Sequence, residues 1–200
     1  MEIYDTLRVL LVDKEAFNFF VKTPVVFLHF AAAAYSIITI LSLDIKIFLN
    51  YHNPVTQELI NEIKQSEQTI NIALFVLYVT GIFFIIFGTM GNPNYLENDK
   101  LLFKIFIVAV LTVNGFLVNL ISHNIVAGVP LSKYGLFRNI GMKFVGSVSS
   151  ISWIFSCFLG IARDWNFKID FAHLFVVYLY SIITSFIIIN FILFFRRKII

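Results

Sequence analysis

Residues 102–122 read LFKIFIVAVLTVNGFLVNLIS, an apolar run with one charged residue, no acidic residue and no proline. A hydrocarbon core of about 30 Å requires about 20 such residues when each helical residue rises 1.5 Å. Four further runs of the same kind lie at 24–43, 70–90, 144–162 and 171–195. Together the five cover more than half of the 200 residues and contain no Asp or Glu. Backbone polar groups in lipid need partners within their own segment, so each run is expected to be a helix. The sequence therefore predicts an all-α fold, a polytopic membrane helical bundle of five transmembrane helices.

The composition agrees with that reading. Hydrophobic residues make up 59% of the chain and charged residues 14%, with 24 Phe and a mean hydropathy of +0.87. Soluble proteins average about 45–50% and 25%, and a water-soluble domain of this length would expose large apolar patches. Cys157 is the single cysteine, which excludes an intramolecular disulfide and any multi-cysteine metal cluster. A net charge of +3 is spread along the chain, leaving no basic face for nucleic acid.

The flanks divide the chain into an N-terminal segment, 1–23, and a single transmembrane domain, 24–200. In the segment Asp5, Arg8, Lys14, Glu15, Asn18 and Lys22 share about half the helical wheel, opposite Leu7, Val9, Leu10, Phe17, Phe20 and Val21. That pattern predicts an amphipathic interfacial helix. Asn53-Pro54 reads as the N-cap and first residue of the second helix, whose charged start would stand outside the membrane. Five spans put the termini on opposite sides. Lys and Arg residues divide seven to eight between those sides, and Arg196-Arg197-Lys198 after the last span predicts a cytoplasmic C-terminus.

Polar residues within the spans are the candidates for function. Lys104, Thr112, Gly115, Asn119 and Ser122 fall on one arc of the third span and form a stripe across the membrane, while Asn114 lies off it and needs a separate partner. His29 shares its face with Ala32, Ala33 and Ser36, small residues that turn it toward a neighbouring helix. Alternating spans bring His29, Lys104, Arg163 and His173 toward the same side, a geometry suited to a site between helices. Ser152, Ser156 and Gly160 recur every fourth residue as a packing face. Trp153 near mid-span is expected to give its indole N–H to a buried acceptor.

Leu28-His29 followed by small residues, Asp44 at the end of the first span, and a third span opening with Lys104 in LLFKIFIVAVLTVNGFLVN resemble two related groups over about residues 24–123. These are the copper-resistance D-type membrane proteins and the J-type protoporphyrinogen oxidases. The resemblance implies a small helical protein of the bacterial inner membrane with His29 and Lys104 in functional roles. A second histidine of the oxidase group is matched only loosely, by Asn114, which is no ordinary ligand for haem iron.

Three functions are compatible with these residues. A protein that transports or binds a small solute, metal ion or proton would use Lys104, Thr112, Asn114, Asn119, Ser122 and Arg163 as its path. A haem-binding redox protein would use His29 and His173 as axial ligands. A structural subunit of a membrane complex would use the same residues for packing. The first is favoured, although no span is broken by proline as in many transporters, and five helices make a thin wall unless a homo-oligomer forms. The lipid bilayer is the expected partner. The spans carry no nucleophile elbow, phosphate loop or paired carboxylates, so an enzyme is disfavoured.

Overall fold

The computed structural model describes residues 14–196. Most of the amphipathic segment and the Arg197-Lys198 end of the basic cluster lie outside the described residues. Five long helices carry the fold: α1 (Thr23–Leu49), α2 (Gln57–Gly91), α3 (Asp99–Ser122), α4 (Leu136–Ile161) and α5 (Phe171–Arg196). All five are long and apolar enough to cross a membrane. No β-strand occurs among the described residues, where an isolated bridge pairs Pro54 with Pro130. Large apolar side chains point outward along the helices, including Phe27, Phe75, Phe116 and Ile187. Such a surface suits lipid, where an outward phenyl ring is not penalised.

At the expected boundary near residue 23 the chain stays helical. Residues Lys14–Phe17 form an α-helical turn, Asn18–Lys22 a π-helical turn, and α1 follows directly. Pro24 has no N–H to give, and the wider turn compensates. Both the Thr23 N–H and the Thr23 hydroxyl donate to the Asn18 carbonyl, the hydroxyl at 2.8 Å.

The second helix begins three residues later than Asn53-Pro54 suggested. Thr56 is the N-cap, in extended conformation, and its hydroxyl accepts the Leu59 N–H at 3.1 Å. Pro54 is instead held in the bridge to Pro130, which leaves Val55 buried under the loop. α2 then runs 35 residues, about 50 Å, so its first turns extend beyond a hydrocarbon core. Asn98 caps α3 through the Lys100 N–H at 3.2 Å, and Asp99 accepts the Phe171 N–H at 3.0 Å, tying the start of α3 to that of α5.

α4 is the hub of the bundle. It packs on α1, α3 and α5, whereas α2 packs chiefly on α1 and meets α3 only lightly. The hub works because Ser147 and Ser152 are completely buried, allowing neighbouring helices to approach. Ser152 donates to the Val148 carbonyl at 2.5 Å and lies 2.6 Å from the Tyr178 hydroxyl on α5. Two apolar cores form. One contains Phe103, Ile107, Trp153, Leu159, Leu174 and Tyr178, and the other, near the 50–56 and 131–134 loops, contains Tyr51, Val55, Leu59, Ile63, Leu131 and Leu193.

Candidate functional site

A cavity of about 220 Å³ lies between the two cores, with walls contributed by all five helices. Its lining is mainly Ile, Leu and Val, interrupted by Asp44, Glu67, Asn71, Asn114, Lys143 and Ser150. Asp44 enters the sequence reading only as part of the family resemblance, and Glu67 falls there on a charged extension outside the membrane, because the apolar runs stop short of both. α1 continues six residues past 43 and α2 begins thirteen before 70, so both carboxylates ride on transmembrane-length helices. The spans expected to lack paired carboxylates thus belong to helices that bring two to one cavity.

Each polar group has a different degree of satisfaction. The Asp44 carboxylate accepts a hydrogen bond from the Ser150 hydroxyl. Lys143 donates to Asn190 Oδ1 at 3.0 Å and lies over the Tyr51 ring at 5.4 Å. Glu67 Oε2 accepts from Asn119 at 3.5 Å, but its Oε1 is buried with no hydrogen-bond partner among the described residues. Asn114 is 4% exposed, lines the cavity, and makes no side-chain hydrogen bond with a described residue. Tyr51 closes the loop end and donates to Asn139 Oδ1, and burial pushes its phenol above the ordinary value. Trp153, expected to find a buried acceptor, instead lines the cavity without an indole hydrogen bond to a described residue.

The cavity communicates with a second, polar one lined by Lys64, Glu67, Gln68, Asn71, Asn119, Ser122 and His123. Four of these residues also line the first, so the polar hollow forms its mouth. The mouth exists because α2 leans on α1 and leaves a seam against α3. Further along, Tyr78 and Thr112 bridge that seam with hydroxyls 2.6 Å apart.

No family model, curated protein or solved structure matches this chain. Its own geometry must carry the functional reading.

The residues expected to form one polar path fall into three places. Asn114, Asn119 and Ser122 line the cavity or its mouth, and Thr112 is exposed on the seam. His29 and Lys104 interact electrostatically in the other half of the bundle, where Cys157 is also within reach of Lys104. His29 Nδ1 is 2.7 Å from the Thr80 hydroxyl, which itself donates to the Val76 carbonyl at 2.7 Å. Arg163 is exposed in the loop after α4 and interacts electrostatically with Lys100, which donates to the Ala162 carbonyl and to Asn166 Oδ1 at 3.0 Å.

His173 is separate from all of these. Its side chain is 76% exposed and lies 3.2 Å from the exposed Asp170 carboxylate. One histidine held between helices and one turned outward do not fit an axial pair for haem. Among the described residues no three His, Cys, Asp or Glu side chains gather as a metal site.

Proposed function

We propose that this is a small integral membrane protein that binds a small solute in the cavity between its helices, as the binding step of transport or sensing. Buried Asn114 carries the reading. Its side chain lines the cavity and makes no hydrogen bond with a described residue, so the amide's donors and acceptor are free to meet a solute, a role that a packing residue such as Leu would not serve. The apolar walls, the few polar groups and the mouth are what solute sites share. The packed core around Phe103 and Leu159 closes the far side, so transport would require a second arrangement of the helices.

Thermal denaturation of the purified protein, with a panel of small amines, alcohols and carboxylates, tests the reading. At least one class should raise the melting temperature, because a ligand that binds only the folded state stabilises it. Asn114→Leu should abolish that shift while melting no lower than the parent without ligand. If no class shifts the melting temperature, or if Asn114→Leu responds as the parent does, the cavity is packing space and the proposal fails.

A further inference from the structure

Given the reading of the cavity as a solute site, we infer that its ligand is an organic ammonium ion, an amine-headed molecule with an apolar body. Three helices each bring an acceptor-bearing side chain to the lining of the same space: Asp44 from α1, Glu67 from α2 and Asn114 from α3. Glu67 Oε1 is buried with no partner among the described residues, and a bare carboxylate oxygen calls for an N–H or O–H donor. A neutral donor would satisfy that oxygen without meeting the carboxylate's charge, whereas an ammonium supplies both donors and charge.

The basic residues nearby do not fill that role. Lys143 is held by Asn190 and lies over the Tyr51 ring, and Lys46 is paired with Glu62 at 2.7 Å. Lys64 is exposed at the mouth. A bare metal ion would gather oxygen ligands around itself and leave the long Ile and Leu walls unused, whereas those walls suit a hydrocarbon body.

Three probes of one shape separate this inference from the reading beneath it. Benzylammonium, benzyl alcohol and benzoate differ chiefly in charge and donor content. Their binding to the full chain in lipid nanodiscs at neutral pH is measured by titration calorimetry, with uptake by protein-free nanodiscs subtracted. Benzylammonium should bind at least about tenfold more tightly than the other two. Glu67→Gln should lower its affinity by about tenfold, with benzyl alcohol affected little, because Gln keeps the size and one acceptor but not the charge. Benzyl alcohol or benzoate binding as tightly as benzylammonium would overturn the cation assignment and leave the cavity reading standing. Failure of all three to bind would overturn both. Unchanged benzylammonium affinity in a folded Glu67→Gln protein would remove Glu67 from the seat and sink the inference.

Discussion

Tyr51 shows how one side chain can close a chamber. Its ring forms part of the loop-end core and its hydroxyl holds Asn139 at the start of α4, so the residue joins two segments 88 positions apart. Replacing it with Phe should cost about 1 kcal/mol at neutral pH, the usual net value of a hydrogen bond. The folded phenol has a raised pKa, so its contribution is complete below the ordinary phenol value of about 10 and declines as pH rises through the folded value. The difference in melting temperature between parent and Tyr51→Phe should therefore shrink above about pH 10. A difference constant with pH would show that the hydroxyl does not titrate against folding. At this scale the sequence was partly legible. Asn114 stood out as an amide in an apolar run, needing a partner its own helix could not supply. Asp44 stood out only as part of a family resemblance and Glu67 not at all, because hydropathy marks where lipid contact ends, while a helix continues until a cap or loop ends it.

Among the helices α4 is the most constrained, because it faces three neighbours. Its Ser152, Ser156 and Gly160 at every fourth position were readable as a packing face, but a sequence pattern does not say which serine meets which helix. The structure distinguishes them: Ser152 is completely buried against Tyr178, whereas Ser156 is only half-buried and donates within its own helix to the Trp153 carbonyl at 3.1 Å. Ser152→Leu should therefore destabilise by about 1–3 kcal/mol or more through overpacking, and Ser156→Leu by distinctly less. Melting of both variants in the same detergent checks the order, and equal losses would mean that the whole face is equally tight. The stripe on α3 was legible as a row of residues but not as a function. Its upper and lower parts meet different neighbours because α2 diverges from α3 along the seam, a matter of helix packing that no single-helix wheel contains.

For the molecule as a whole, five apolar segments were sufficient to predict the architecture, because few other structures satisfy their backbone in lipid. The arrangement of the helices around one another was not readable, and with it the location of the site. Of the polar residues grouped by depth on the N-terminal side, His29 and Lys104 come within electrostatic range of each other and Arg163 of Lys100, whereas His173 turns outward, and the cavity lies toward the opposite half. An odd number of crossings predicts that reporters fused at residues 2 and 200 lie on opposite sides of the membrane, the C-terminal one cytoplasmic. Activity of both on one side would remove a crossing from the fold. The mouth at the seam also has a kinetic consequence. Packed side chains stand at both ends of the cavity, and with the polar mouth as the way in and out, the solute-site proposal gives a newcomer no rear path by which to push out the occupant, as successive ions do in a selective pore. Exchange must proceed by vacancy: the occupant leaves by the polar way it came, and only then is the next admitted. Its residence time is consequently its own property, the same when ligand is diluted away as when a large excess of competitor waits outside.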